Sequence, residues 1–311
     1  NVEPSAASSE AATAVAAASP GWFRGNPLYL TLKAFDPDRL LTPLAERARF
    51  FFTPHFVVLS LVMIAGSAAV MMGEWAHLGA SLNQLWRLDT ALMVWATLLL
   101  VTVAQEFVHA LTCKHFGGQV REMGFLLIYF QPTFYCNISD AWLFPRKAHR
   151  LWTTLAGAYF ELFLWAVAVL VWRVTEPDNF VHTLALVVAA TSGVKTLFNF
   201  NPLIKLDGYY LLGDWLEVPN LRGRAFAFLR QQWRRMWGHD ADAAAAPASP
   251  RERRIYWVYG LAAMVFSTWL LGWVCFRMGN YLIRQAGGWG FVLFLCFATA
   301  VFQSSVVRGV A

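Results

Sequence analysis

Several stretches of about 20 mostly apolar residues run through this chain, and that is the length needed to cross a lipid bilayer. They lie at about residues 51–72, 90–113, 151–174, 181–200, 255–276 and 289–304. Only 14% of the 311 residues are charged, whereas about 25% is usual for a soluble domain. The sequence therefore predicts an all-α polytopic membrane protein with about six transmembrane helices.

The segments around these spans differ in composition and suggest five regions. Residues 1–20 are small and polar and predict a disordered N-terminal tail. Residues 21–50 mix aromatic and basic side chains and predict an interfacial segment. We expect a membrane core at 51–237, an Ala/Pro/Asp linker at 238–250 and a C-terminal helical hairpin at 251–311.

The segment 123–138, after the second span, is apolar and aromatic but too short for another crossing. Pro132 interrupts it, and it is rich in turn residues. We therefore predict a membrane hairpin or re-entrant segment here, beside the second span.

Lysine and arginine are unevenly distributed between the predicted loops. One set of loops contains Arg47, Arg49, Lys114, Arg121, Arg146, Lys147, Arg150 and the arginines of residues 222–235. The opposite loops contain only Arg87, Arg173, Arg277 and Arg284. Because cytoplasmic loops carry the excess of positive charge, we predict that both termini are cytoplasmic.

Residues 218–237 combine arginines with Phe and Trp and predict a basic amphipathic helix that lies on an anionic leaflet. A nucleic-acid-binding patch is the alternative interpretation. The neighbouring spans favour the membrane, so we expect an integral membrane protein with no nucleic-acid partner.

The second predicted span carries the sequence Gln105-Glu-Phe-Val-His109 near its end. Gln105 and His109 are four residues apart, so a helix places both on one face, with Glu106 one step round. In the His-Glu-x-x-His motif, two imidazoles bind zinc and the glutamate activates a water molecule. Here Gln105 replaces the first imidazole.

A second segment, Asn201-Pro-Leu-Ile-Lys-Leu-Asp-Gly208, follows about a hundred residues later. The two segments together resemble those of the site-2 protease family of intramembrane zinc metalloproteases, and the chain is most similar to the bacterial peptide zinc metalloproteases. The resemblance extends over about residues 105–224.

This resemblance implies roles for three residues and a location. His109 and Asp207 match the family's zinc ligands, and Glu106 matches its general base. The family's hairpin, which the segment 123–138 resembles, can receive an unwound substrate as an added strand. The resemblance further implies a multi-pass protein of the bacterial inner membrane that acts on a membrane peptide or protein or binds partner subunits.

The third span departs from the family pattern at Glu161. The family commonly has Leu-Ala-Gly-Pro-x-x-Asn, whose asparagine helps to hold the substrate, and this chain has Leu155-Ala-Gly-Ala-Tyr-Phe-Glu161. A carboxylate cannot donate a hydrogen bond to an oxyanion. Glu161 therefore marks the substrate-binding position, and Asn199 or Asn201 could supply an amide in its place.

Gln105 is the more serious departure, because a neutral amide oxygen is a poor zinc ligand. Two other residues could complete the site: Cys113, four residues after His109 on the same face, and Glu106 itself. Cys113 has an alternative role as a small packing residue. If zinc is absent, we expect Glu106 to stay protonated or to pair with Lys195.

We therefore expect a site-2-protease-like fold in which zinc is weakly bound or absent and zinc-dependent peptidase activity is impaired or lost. One alternative is an active intramembrane zinc endopeptidase. Another is a pseudoprotease that serves as a scaffold or subunit of a larger membrane complex. A third is an enzyme in which Gln105 has been introduced in place of a histidine.

Overall fold

The computed structural model describes most of the chain outside its N-terminal tail. The described residues are 23–26, 29–35, 37–74, 88–128, 131–237 and 249–310. The tail predicted at 1–20 lies outside them, as does nearly all of the linker predicted at 238–250.

The described chain is mostly helical. Its helices are α1 (Asp38–Arg47), α2 (Pro54–Gly73), α3 (Leu88–His115), α4 (Lys147–Val174), α5 (Phe180–Asn199), α6 (Asp207–Leu216), α7 (Leu221–Met236) and α8 (Pro250–Val310), with short 3-10 helices at Ala48–Phe52 and Ser139–Leu143. Within the described residues, five helices are long and apolar enough to cross a membrane: α2, α3, α4, α5 and α8. This supports the predicted polytopic membrane class.

The sixth predicted span, 289–304, falls in the last part of α8. The backbone leaves the helical conformation at Gly287, where φ is 52°, a value that glycine adopts readily. A break at this position is compatible with two separate crossings, and the count of six spans stays a prediction.

Local sequence signals set the helix ends. Pro54 stands in the first turn of α2, where its missing N–H costs nothing, and the Thr53 hydroxyl accepts a hydrogen bond from the Phe56 N–H (3.3 Å). After α3, Gly117 takes a positive φ of 89°, which is the usual way for a glycine to end a helix.

Four antiparallel strands form one sheet in the order β1 (Phe23–Asn26), β2 (Tyr29–Phe35), β3 (Met123–Ile128) and β4 (Gln131–Cys136). The segment predicted as a hairpin is therefore a β-hairpin, and its depth in the membrane stays a prediction. Pro132 is tolerated because β4 is an edge strand of this sheet. The sheet is an addition to the predicted all-α class, since β1 and β2 come from the segment predicted only as interfacial.

The chain divides into two compact units, residues 1–201 and 202–311. The boundary falls inside the membrane core predicted at 51–237. In the first unit, α3 packs against α4, α5 and strand β4. In the second unit, α7 packs against α8 through a cluster of buried apolar and aromatic side chains.

Asp38, the first residue of α1, links that helix to the end of α3. Its carboxylate accepts hydrogen bonds from Lys114 Nζ (2.7 Å to each oxygen) and from the Val120 N–H (3.1 Å). The hydrogen bond from Lys114 is the main reason that the pKa of Asp38 lies below its usual value.

We predict that Asp38→Asn lowers the free energy of unfolding by about 1 kcal/mol at pH 7, since the charge-assisted hydrogen bonds are partly exposed to solvent. The folded pKa is depressed, so this contribution is present above the unfolded pKa of about 3.9 and is lost as the pH falls through the folded pKa. Denaturant unfolding in detergent at pH 7 and near pH 3 measures it. The exposed Asp178→Asn is the control, and an equal loss there would contradict the prediction.

Candidate functional site

Three polar side chains of α3 share one face of the helix. Thr102, Gln105 and His109 are three and four residues apart, which stacks them on successive turns. Gln105 and His109 are each only 5% exposed. Polar groups buried to this extent need partners, and helices α4 and α5 supply them.

The His109 ring is oriented by the backbone of α4. Its Nδ1 lies 2.8 Å from the carbonyl oxygen of Thr153. Because a carbonyl oxygen can only accept, Nδ1 carries the proton and donates it. In the neutral ring, Nε2 is then the nitrogen with the lone pair, which is the tautomer that metal-binding histidines commonly adopt.

Gly157, one turn after Thr153, allows this ring to approach α4. A Cβ atom at Gly157 would lie 2.1 Å from His109 Nε2 and 2.7 Å from both Cδ2 and Cε1. A Cβ atom in the plane of the ring, beyond Nε2, would lie farther than 2.7 Å from Cδ2 and Cε1. The Cβ position is therefore above the ring plane, and α4 lies against the face of the ring. The in-plane direction of the Nε2 lone pair is therefore roughly perpendicular to the line from Nε2 to Gly157.

Lys195 of α5 lies at the centre of the polar cluster. Its Nζ is 2.6 Å from Glu161 Oε1 of α4, and it donates hydrogen bonds to Gln105 Oε1 (2.8 Å) and Thr102 Oγ1 (2.9 Å) of α3. Three oxygen atoms from two helices thus surround one ammonium group. The Glu161 side chain is fully buried, while that of Lys195 is 21% exposed.

Asn199 completes the cluster one turn along α5 from Lys195. Its Nδ2 donates to Glu161 Oε2 at 2.8 Å. Both oxygens of the Glu161 carboxylate are thereby close to a positive or hydrogen-bonding group, as a buried carboxylate requires. The cluster ties α3, α4 and α5 together through polar contacts.

Of the residues predicted for the site, the structure gathers Gln105, His109 and Glu161 around this cluster. Asn199, the alternative to Asn201 for an amide, binds Glu161 and so is engaged within the cluster. For Glu106 the sequence left two alternatives, a protonated carboxyl or a pair with Lys195; the ion pair that we observe for Lys195 is with Glu161.

Glu106 is half-buried on another side of α3. Burial raises the pKa of the Cys136 thiol in strand β4, and nearby Glu106 raises it further. The general base predicted from the motif is therefore close to the hairpin. Cys113, one of the two residues considered as a replacement ligand, is fully buried in an apolar cluster with Leu41 and Phe144, which favours its packing role.

Asp207 and Asn201 lie on either side of the boundary between the two units. Asp207 is the first residue of α6 in the second unit, and Asn201 is the last residue of the first. The irregular segment before Asp207 is held by two carbonyl contacts of the second unit. Arg222 donates to the Leu203 oxygen (2.8 Å), and Tyr259 donates to the Pro202 oxygen (3.3 Å).

The donors of the first unit fit a zinc centre poorly. His109 has a suitable tautomer and orientation, but the Gln105 oxygen already accepts from the Lys195 ammonium group. Across the described residues, no group of three or more His, Cys, Asp and Glu side chains could hold a metal ion.

The sequence alone does not predict that Lys195 joins Gln105 to Glu161. The available signals were spacings: Thr102 three residues before Gln105, and Asn199 four residues after Lys195. Comparison with known proteins adds no further constraint: no protein-family model, curated protein or solved structure matches the chain.

We predict that Gly157→Ala lowers the free energy of unfolding by about 1–3 kcal/mol, the usual cost of overpacking, because the new methyl group overlaps the His109 ring. Thermal unfolding in detergent measures the change. Gly66→Ala in α2 is the matched control, since nothing lies within 4 Å of a Cβ there. Adding His109→Ala should relieve part of the penalty, and a full penalty in the double variant would contradict the contact.

We predict that Lys195→Met destabilises the protein by about 3–5 kcal/mol, because it leaves the buried Glu161 carboxylate without its cation. The double variant Lys195→Met/Glu161→Gln should be more stable than Lys195→Met alone. Chemical denaturation of the four proteins in one double-mutant cycle gives the coupling energy. A coupling close to zero would mean that the two charges do not depend on each other.

Proposed function

We propose that this chain is a membrane protein with a site-2-protease-like fold in which zinc-dependent peptidase activity is impaired or lost. On this proposal it acts as a pseudoprotease, a scaffold or subunit of a larger membrane complex. The observation that carries the proposal is the hydrogen bond from Lys195 to Gln105, together with the ion pair between Lys195 and Glu161.

Electrostatics supports this proposal. A zinc ion on the Gln105 oxygen would lie about 4 Å from the Lys195 ammonium group, given usual zinc–oxygen distances. Two unit charges at that separation interact by about 4 kcal/mol at an effective dielectric constant near 20, so a divalent ion would be opposed by about 8 kcal/mol. The free energy of zinc binding at structural sites is roughly 10–16 kcal/mol. That repulsion is about half or more of the zinc-binding energy, and the Glu161 carboxylate 2.6 Å from Lys195 Nζ offsets part of it, so we expect zinc binding to be weakened.

Lys195 also makes a metal unnecessary for neutralising Glu161. Its ammonium group supplies a positive charge within hydrogen-bonding distance of Glu161, Gln105 and Thr102. We infer that this side chain acts as an internal cation that holds the three helices together where an active relative would use bound zinc.

One observation favours the alternative, an active intramembrane zinc endopeptidase. The hydrogen bond from His109 to the Thr153 carbonyl gives Nε2 the protonation state of a metal ligand. In that case His109 and Asp207 would hold zinc, Glu106 would act as the general base, and Asn201 would contact the substrate, a membrane-embedded peptide.

The proposal includes a location. We propose a multi-pass protein of the bacterial inner membrane with both termini in the cytoplasm, supported by the five membrane-length helices and by the uneven distribution of Lys and Arg.

We predict that the purified full chain contains much less than one zinc ion per molecule, measured by inductively coupled plasma mass spectrometry after exposure to zinc. Gln105→His should raise the zinc content slightly, because the ammonium group remains. Gln105→His/Lys195→Met should raise it further, because the repulsion is removed. Gln119→His, a matched change at an exposed position, should have no effect.

Two results would contradict this proposal. The first is nearly stoichiometric zinc in the unchanged protein that is lost in His109→Ala or Asp207→Ala. The second is no zinc uptake in Gln105→His/Lys195→Met when that variant unfolds cooperatively, since the lysine would then not be the obstacle.

A further inference from the structure

Helices α7 and α8 run antiparallel to each other in the second unit. Arg222 near the start of α7 contacts Ser267 (3.0 Å between Nη2 and Oγ), whereas Phe228, two turns later, contacts Tyr256 (5.8 Å between ring centroids). Residue numbers therefore rise along α7 as they fall along α8. The last turns of α7 must lie beside the first turn of α8.

This end of the helix pair is strongly basic. It comprises residues 230–237, which are the end of α7 and its C-cap Trp237, and residues 249–254, which are Ser249 and the start of α8. We call it the arginine end. It contains Arg230, Arg234, Arg235, Arg251, Arg253 and Arg254, all exposed, and a single acidic residue, Glu252. The Glu252 carboxylate accepts a hydrogen bond from the Ser249 N–H at 2.8 Å.

The arginine end also carries exposed aromatic side chains. Trp233 and Trp237 are 61% and 68% exposed, and their ring centroids are 6.2 Å apart. Trp233 lies three residues after Arg230 and one before Arg234, so the three residues lie near one another on the same side of α7. Tryptophan beside basic residues is typical of segments at the boundary between lipid headgroups and hydrocarbon.

The position of the arginine end along α8 matches such a boundary. The apolar stretch of α8 begins at Ile255, directly after Arg253 and Arg254. Beyond it, Val258 and Val265 expose apolar surface suited to lipid chains (73% and 66%). The arginines therefore lie where a membrane-spanning helix emerges from the hydrocarbon core.

The first arginine of α7 has a different role. The Arg222 guanidinium donates to the Leu203 carbonyl and to Ser267 and lies over the Phe226 ring, 5.1 Å from its centroid. It is therefore used within the second unit. Arg222 is half-buried, whereas the six arginines of the arginine end are exposed; of these, Arg251 also donates to the Leu216 carbonyl (3.2 Å).

We propose that the arginine end is a binding site for the headgroups of anionic phospholipids. The guanidinium groups bind lipid phosphates, and the tryptophans occupy the headgroup region. Charge complementarity identifies the partner: among the described residues of the arginine end, six arginines outnumber one glutamate, and the surface of a leaflet rich in anionic lipid supplies phosphates at a membrane boundary. This inference does not depend on the proposed loss of zinc.

The test measures lipid preference of the full chain in detergent by native mass spectrometry. Dioleoyl phosphatidylglycerol and dioleoyl phosphatidylcholine are titrated separately, and the ratio of their apparent affinities is compared. We expect phosphatidylglycerol to be preferred in the unchanged protein, with a preference that falls as the salt concentration rises. Arg230→Gln/Arg234→Gln should lower the ratio by at least about fivefold, since each arginine near an anionic surface is worth roughly that factor.

Two further variants make the result specific. Arg277→Gln/Arg284→Gln removes the same charge from exposed positions farther along α8 and should leave the ratio unchanged. Arg230→Lys/Arg234→Lys keeps the charge and should retain most of the preference, which separates a loss of binding from a loss of folding.

Three outcomes would overturn the proposal. They are equal affinity for the two lipids, an equal loss of preference in the Arg277/Arg284 control, and an unchanged preference in the Arg230/Arg234 glutamine variant. Binding of duplex DNA that depends on the same arginines, without any preference for phosphatidylglycerol, would instead assign this surface to nucleic acid.

Discussion

A fully buried carboxylate on a membrane helix is the constraint on which the polar architecture of the first unit depends. Moving an isolated carboxylate out of water costs several kcal/mol even after the protein relaxes. For Glu161 this free-energy cost is offset by the Lys195 ammonium group at one carboxylate oxygen and by a hydrogen bond from the Asn199 amide at the other. Because these partners come from α5, and Lys195 also binds α3, the carboxylate fixes how three helices meet.

Gln105 and Glu161, where the sequence differs from the pattern that it resembles, contact the same side chain in the structure. Taken from the sequence alone, Gln105 weakens a metal site and Glu161 removes an amide donor, with no connection between them. In the structure, Lys195 contacts both. A glutamate at 161 requires a nearby cation, and the amide oxygen of Gln105 offers that cation a further acceptor. These contacts support the proposal that an internal lysine takes the place of a metal.

Much of the fold could be predicted from the sequence, and the features that could not be predicted have physical explanations. Apolar length located the helices to within a few residues, as for the span predicted at 181–200 and observed as Phe180–Asn199. The hairpin was predicted from Pro132 and its turn residues. The pairing of β2 with β3 was not predicted. Its paired residues Tyr29 and Ile128 are about a hundred residues apart, and a short apolar segment does not specify a distant partner strand.

The candidate site was predicted to a similar extent. Helical spacing placed Gln105 and His109 on one face, but it could not reveal that Lys195, ninety residues away, donates to Gln105. Nor could it show that Gly157 allows the His109 ring to lie against α4. Both contacts depend on how helices pack, and one-dimensional periodicity does not carry that information.

We propose that the Lys195 ammonium group, and not zinc, occupies the polar cluster beside Gln105. Anomalous diffraction at the zinc edge, from crystals of the unchanged protein grown with zinc, tests it most directly. We expect no anomalous peak near His109 Nε2 and a hydrogen-bonding distance between Lys195 Nζ and Gln105 Oε1. A strong peak about 2.1 Å from Nε2, the usual zinc–nitrogen distance, with Lys195 turned away from Gln105, would contradict it.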